Sequence, residues 1–332
     1  MSNKTLDLIG IGNAIVDVLS RADDAFLAKH KIQRGGMTLI DAERARTLYD
    51  QMGPGIEASG GSVANSIAGF AALGGRAGYI GKVRDDQLGQ VFAHDIRAAG
   101  VDFRTPMSED GDPTARCLIL VTPDGQRSMN TYLGACQTLS EDDIDPAYIG
   151  SARIIYLEGY LWDPPAAKKA FLKAMKAAHA AGTKVAFTLS DSFCVDRWRT
   201  EYHDLVDRHV DILFANEQEL LSLYQTDDLE AALSALAERV ETAAVTRSER
   251  GSIVLSGGQR YEIAPEPVAH VVDATGAGDL YAAGFLYGIT RGLAPGIAGR
   301  IASICAAEII SHYGARPEAD LKALIRDFVG ES

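Results

Sequence analysis

The feature that most constrains how this chain can fold is an alternation of short apolar runs with amphipathic segments of helical length. Leu6 to Gly12 is an apolar run closed by glycines, suited to a buried strand with a sharp exit, and Ser62 to Leu73 follows with a helical rhythm that stops at Gly74-Gly75. Arg76 to Val83 reads as the next strand, and Asp85 to Ala99 as an amphipathic helix with an acidic first turn and Gly100 beyond its end. The pattern resumes with a strand at Arg153 to Leu157, a helix at Pro164 to Ala181, strands at Lys184 to Leu189 and Asp211 to Ala215, and a helix at Glu217 to Tyr224. From Leu280 to Val329 the chain reads as helical. Such alternation builds a three-layer α/β/α unit around a mainly parallel sheet, with ligands expected beyond the carboxyl ends of its strands.

Two stretches break the alternation, at about residues 14–55 and 103–135. The second holds Arg116 to Thr122 and Gln126 to Leu133 around Pro123-Asp124-Gly125, a hairpin signal with Asp-Gly in the turn. Strands without intervening helices form a small sheet of their own, which is marginal until something covers its bare face. The economical reading is a lid over the active site, against an edge extension of the main sheet or a dimer-forming flap. Residues 1–332 thus read as one unit: a large α/β domain and a lid made by the two insertions.

The charge balance narrows the partners. With 32 Lys and Arg against 45 Asp and Glu, the net charge is −13 and the basic residues are not gathered anywhere, which argues against nucleic acid. No stretch approaches the roughly 18 uninterrupted apolar residues of a membrane helix, and Asp7 and Asp17 interrupt the apolar N-terminal segment that a signal peptide needs. Cys117, Cys136, Cys194 and Cys305 are widely spaced without a C-x-x-C pair, so reduced thiols and a cytoplasmic location are expected. A small-molecule partner remains, with the choice between monomer and homodimer open.

The segment richest in chemistry is Asp273-Ala274-Thr275-Gly276-Ala277-Gly278-Asp279, running into the apolar stretch Leu280 to Ile289. A turn of small residues entering a buried helix leaves the N–H groups of Gly276, Ala277 and Gly278 free at the helix's positive end, a cradle for an anion. Asp279 beside a phosphate would repel it, so its use is on the attacking hydroxyl, whose proton it accepts. Taken alone, Thr275 and Asp279 could equally be helix caps. An Asp in a first helical turn is also expected to have a low pKa.

This segment resembles the second signature of the ribokinase or PfkB family of carbohydrate and nucleoside kinases. Gly60-Gly61-Ser62-Val63-Ala64-Asn65-Ser66, with Ala72-Leu73-Gly74 and Gly81 to Gly89, resembles the first signature, and Asn216-Glu217-Gln218-Glu219 matches the family's N-x-x-E motif. The resemblance implies a ribokinase-like fold, ATP and Mg²⁺ as cofactors, Asp279 as catalytic base, and Gly276, Ala277 and Gly278 as the anion hole. It also implies that Glu219 holds Mg²⁺ through water beside Asn216, although the same spacing is a capping box. Thr246, Gly251, Thr275 and Gly278 are implied nucleotide contacts, with Ser248 standing where relatives have the first glycine of T-x-G-x-x-G. Asp273 and Thr275, with the loop His312 to Arg316, resemble the region that binds K⁺ in many relatives.

For the acceptor, Asn13 and Asp17 after the first strand, with Asn65 beside Gly60 and Gly61, can clamp a pair of vicinal hydroxyls. The four-residue spacing of Asn13 and Asp17 is like that of adenosine kinases, as are Phe187 to Phe193 and Val210 to Glu217. Leu133, Ala135, Tyr160, Leu161 and Phe193 are apolar candidates to enclose a purine, each equally able to be core. Adenosine, phosphorylated on its 5′-hydroxyl to give AMP in purine salvage, is the first expectation. The alternatives are a sugar kinase acting on ribose, fructose or 2-keto-3-deoxygluconate, and a purine nucleoside kinase for inosine or guanosine. A nicotinamide enzyme fits poorly, because Ile15 stands where the third glycine of G-x-G-x-x-G belongs. A non-catalytic sensor is disfavoured by the presence of Asp279, Asn216 and Glu219.

Overall fold

The computed structural model describes residues 4–329. In chain order, β1 (Leu6–Ile11) and β2 (Ile15–Arg21) lead to α1 (Asp24–Lys29), β3 (Met37–Leu39), α2 (Ala42–Gln51) and β4 (Gly55–Gly60). Then come α3 (Ser62–Ala72), β5 (Ala77–Ile80), α4 (Gln87–Ala98), β6 (Val101–Phe103) and the hairpin β7 (Ala115–Val121) and β8 (Arg127–Tyr132). The middle of the chain supplies α5 (Pro146–Gly150), β9 (Ala152–Glu158), α6 (Pro165–Ala180), β10 (Lys184–Thr188), α7 (Ser192–Arg208), β11 (Ile212–Asn216), α8 (Glu217–Tyr224) and α9 (Leu229–Ala237). The chain finishes with β12 (Thr242–Thr246), β13 (Ser252–Ser256), β14 (Gln259–Ile263), α10 (Ala277–Thr290), α11 (Pro295–Ile309), α12 (Leu321–Leu324) and α13 (Arg326–Val329).

Nine strands form the large sheet in the order β14-β13-β12-β11-β10-β9-β1-β5-β6, parallel from β12 to β6 and antiparallel at the β12-β13-β14 edge. The strand order reverses between β1 and β9, so the crevice at their carboxyl ends is the topological switch point where ligands of such sheets bind. One apolar cluster, with Ile67, Phe70, Leu280, Phe285 and Ile301, packs α3, α10 and α11 on one face. A second, with Phe171, Phe187, Tyr202 and Leu220, packs α6, α7 and α8 on the other.

The two interrupting stretches supply a second sheet in the order β3-β8-β7-β2-β4. Its outer face is not bare: Val16, Val18 and Leu118 pack with Leu48 of α2, a helix that the first stretch carries within itself. The opposite face carries Ile15, Asp17 and Leu19 of β2 in register with Cys117 and Ile119 of β7, Met129 and Thr131 of β8, and Met37 and Leu39 of β3. The sequence pattern missed α7, whose strongly charged surface (Asp196, Arg197, Arg199, Glu201) obscures its apolar stripe, and the β13-β14 hairpin around Gly257-Gly258.

Gly10 and Gly12 do not form a phosphate loop. A Cβ at Gly10 would lie 2.4 Å from Ile67 and one at Gly12 2.5 Å from Glu158, so they are small because α3 and a buried carboxylate press against β1.

Candidate active site

At the switch point the connection after β1 meets the end of β9. Asn13 donates through both its backbone N–H (2.8 Å) and its side-chain amide (2.7 Å) to Oε1 of Glu158, and Oε2 of Glu158 accepts from the N–H of Val63 (2.9 Å). Glu158 is completely buried, and loss of hydration pushes its carboxyl up to about 7 against the pull of those three donors. It was not singled out from the sequence, because within the apolar strand Ile154 to Leu157 nothing marks it as a partner of a residue 145 positions earlier.

The same logic orients both candidate acceptor-site amides. A carboxylate only accepts, so the Asn13 and Asn65 NH₂ groups must face Glu158 and Asp279, leaving both amide oxygens toward other partners. Asn65 donates to Oδ2 of Asp279 at 3.0 Å, and Ser62 donates to Oδ1 at 2.7 Å. Oδ1 of Asn13 and Oδ1 of Asn65 are buried with no donor. Orphan buried acceptors are costly unless a ligand supplies the hydrogen, and hydroxyl groups are suited to do so.

Gly61 has φ +98°, and a Cβ there would fall 2.2 Å from the Asn13 carbonyl oxygen, while one at Gly60 would fall 2.4 Å from Asp17 Oδ2. Only glycine lets the segment entering α3 pass this close to Asn13 and Asp17. Asp17 lies on the cleft-facing side of the small sheet, and burial pushes it up to about 7, opposed by the charges of Arg316 and Arg127 and reinforced by Asp279. Asp279 is itself pushed up to about 6 by burial, which outweighs its bonds to Ser62 and Asn65 and the nearby Arg316. The expected low pKa is therefore overturned: dehydration in the cleft dominates the helix terminus.

Gly276 caps α10 with φ +82°, and Gly278 has open space around the position of a Cβ. The Ala277 N–H is already engaged by the Ala274 carbonyl at 3.2 Å, closing the turn, so of the three amides expected to cradle an anion it is the one with a partner inside the protein. Asp273 accepts from the N–H of Thr275 (3.1 Å) and of Gly314 (3.2 Å) and pairs with Arg127 of β8 at 2.8 Å. Its charge is thereby balanced by a guanidinium. Arg127 is another residue that sequence reasoning passed over. Its Nε and second terminal nitrogen are buried and without acceptors.

Asn216 and Glu219 close a capping box at the start of α8: Asn216 donates to both Glu219 oxygens (2.6 and 3.0 Å) and accepts from the Glu219 N–H (2.8 Å). Burial pushes Glu219 up to about 7. Among the described residues no group of three or more His, Cys, Asp or Glu side chains could enclose a metal, so the residues present fit a hydrated cation held through water and not a protein cage. Thr246 ends β12 in register with Asn216, at the same sheet edge. Ser248 takes φ +53°, the left-handed backbone that glycine adopts without strain.

Of the apolar candidates, Ala135 and Leu161 are buried, each 1% exposed. Leu133 and Tyr160 are half-buried, and Phe193, 37% exposed, has its ring 6.1 Å from that of Tyr160. The sequence reading missed the apolar wall opposite: Leu39, Met37 and Ile56, exposed by 50%, 39% and 72%, share the face of the small sheet that bears Asp17. Among the described residues no helix is long and apolar enough to cross a membrane.

Comparison with known proteins bears on this site. The family profile described as pfkB family carbohydrate kinase matches residues 52–321. The adenosine kinase of Sinorhizobium meliloti superposes with a TM-score of 0.90 at 51% identity over 97% of this chain and 99% of that one. A probable sugar kinase of Rhizobium etli CFN 42 gives 0.91 at 50% identity over 98% of both chains. A 5-dehydro-2-deoxygluconokinase of Shouchella clausii is 30% identical over 282 residues, 81% of this chain and 86% of that protein. With its ribokinase-like architecture, the chain belongs to the PfkB family of carbohydrate kinases and is a phosphotransferase with an alcohol group as acceptor.

Proposed function

We propose that this kinase transfers the γ-phosphoryl group of ATP to the 5′-hydroxyl of adenosine, giving AMP. The reading rests on a hydroxyl clamp together with the exposed apolar residues on the face of the small sheet that bears Asp17. Orphan oxygens of Asn13 and Asn65, with Asp17, suit a ribose, whereas Leu39, Met37, Ile56 and the ring of Phe193 offer more apolar surface than a small sugar would cover. The likeness to the Sinorhizobium meliloti adenosine kinase supports it.

In this reading Asp279 orients the 5′-hydroxyl and takes its proton, with Ser62 and Asn65 holding the carboxylate in place. The amides of Gly276 and Gly278 face the charge that develops on the transferred group. ATP, bound with Mg²⁺, supplies the phosphoryl group. Glu219 and Asn216 would hold the hydrated cation through its water, and Thr246 and Gly251 would border the nucleotide. The small sheet acts as a lid that excludes water, a competing nucleophile.

A second reading rests on Arg127. Its unpartnered nitrogens would meet the carboxylate of an acidic keto-sugar, the chemistry named for the Shouchella clausii relative. ADP release with ATP and Mg²⁺ distinguishes the two across adenosine, inosine, guanosine, ribose, fructose, 2-keto-3-deoxygluconate and 5-dehydro-2-deoxygluconate. Adenosine-dependent turnover is expected. Turnover with a sugar acid alone would replace the nucleoside reading with the second one.

A further inference from the structure

We propose that Arg316, on the loop between α11 and α12, is a positioning residue for the transfer site, fixing the diglycine segment and holding positive charge between Asp17 and Asp279. The inference rests on the reading of Asp279 as the base.

The argument begins with what the guanidinium touches. One terminal nitrogen donates to the Ala64 carbonyl at 2.9 Å, and the other to the Ser59 carbonyl at 2.8 Å and the Ser59 hydroxyl at 2.9 Å. Ser59 and Ala64 flank Gly60 to Val63, so the planar fork spans the diglycine segment from one end to the other. A fork with fixed geometry can do this, whereas an ammonium group is a point charge without that shape. Ser62 lies inside the spanned segment and Asn65 directly follows it, and these are the two donors to Asp279. The positions of both donors are therefore tied to Arg316 through the backbone.

The loop bearing Arg316 is anchored on the other side of the site. The Gly314 N–H donates to Asp273, and the Ala315 Cβ lies 3.0 Å from where a Cβ on Gly276 would stand. Three consecutive residues, 314 to 316, thus join the anion turn to the diglycine segment.

Charge gives the second strand of the argument. Asp17 of the small sheet, Asp95 of α4, Asp279 of α10 and Tyr79 of β5 lie around the guanidinium, yet among the described residues none forms a direct ion pair with it, and three of its five N–H donors go to carbonyl and hydroxyl oxygens. Arg127, the other cation near Asp17, is paired with Asp273. Asp95 in turn accepts from the Ser59 N–H at 3.0 Å. Arg316 is thus the cation common to Asp17 and Asp279 that no carboxylate holds in a direct pair, and both acids are harder to ionise without it.

The test compares Arg316→Met, Arg316→Lys and Asp279→Asn in the full-length enzyme, following ADP release from about pH 5 to 9 with the acceptor that turns over, alongside thermal melting. For Arg316→Met we expect turnover lower by about 10- to 100-fold and an acid limb displaced upward by about one pH unit. For Arg316→Lys we expect the limb to stay in place while turnover falls by about 10-fold, because charge remains and the carbonyl bridge is lost. A folded Arg316→Met enzyme with an unmoved acid limb overturns the proposal. If that variant does not fold, wild-type turnover in Arg316→Lys overturns it. Wild-type turnover in Asp279→Asn would instead remove the base reading itself.

Discussion

At Asp279 dehydration and hydrogen bonding pull in opposite directions, and dehydration prevails, placing the carboxyl at about 6. A base near that value is ionised at neutral pH yet able to take a proton, so kcat/KM should fall as pH drops through about 6, measured by ADP release in overlapping buffers. Asp279→Asn keeps the shape but only one of the two hydrogen bonds the carboxylate accepts from Ser62 and Asn65, and it cannot accept the proton; under the proposed mechanism kcat should fall by about 10² to 10⁴. Ser248 offers a contrasting case, a side chain in left-handed backbone at φ +53°. Ser248→Gly should raise stability by up to about 1 kcal/mol without weakening ATP binding, checked by denaturant melts and KM for ATP. These residues differ in how visible they are from sequence. Asp279, Asn65 and Asn216 sit in local motifs whose resemblance to the family signatures exposes them, where spacing alone would leave helix caps as an equal reading. Glu158, Arg127 and Arg316 act across long stretches of chain, on Asn13, Asp273 and Ser59 respectively, and nothing near them in sequence announces the partner.

Among the elements, α10 shows how closely the site's support is packed. A Cβ at Gly284 would stand 2.8 Å from the Ala302 backbone of α11, and one at Gly69 of α3 would stand 2.5 Å from Leu280. The helix whose N-terminus forms the anion turn is thus held from both sides by close helix contacts. Gly284→Val should force α10 and α11 apart at a cost of about 1–3 kcal/mol, visible as a lower melting temperature, with turnover reduced because Gly276 and Asp279 move with the helix. Most elements were legible because their periodicity was undiluted: the expected helix Glu217 to Tyr224 and the hairpin about Asp124-Gly125 stand where the pattern put them. The outer cover of the small sheet was not legible, since α2 interrupts a run of strand-like residues and its role as a lining emerges only when Leu48 meets Val16 and Val18.

For the molecule as a whole, the cleft stores acidic groups under conditions that disfavour their charge. Asp17, Glu158 and Glu219 are raised to about 7 and Asp279 to about 6. A carboxyl raised in the folded state binds its proton more tightly there than in the unfolded chain, so its favourable contribution is present at low pH and disappears as pH rises through the folded value. The ligand-free protein should therefore lose thermal stability between about pH 5 and 8, as read by scanning calorimetry. Glu158→Gln, which removes one of these ionisations, should make that decline shallower. Asp7, lowered against its burial by Arg76 and Arg153, and Asp124, lowered by the Thr122 hydroxyl and then Arg34, act in the opposite sense only at more acidic pH.

The two sheets divide the site between them. Asp279, the anion turn and the Asn216–Glu219 box all belong to the large sheet and its helices, whereas Leu39, Met37, Ile56 and Asp17 belong to the small one. In the proposed reading the small sheet adds Asp17 and an apolar face to the acceptor contacts that Asn13, Asn65 and Phe193 make from the large unit, the two parts meeting at the short connection at Asn13 and at Gly61. Under the proposed function, substitutions at Leu39 of β3 and Ile56 of β4 should therefore alter acceptor KM while leaving the transfer groups around Asp279 in place.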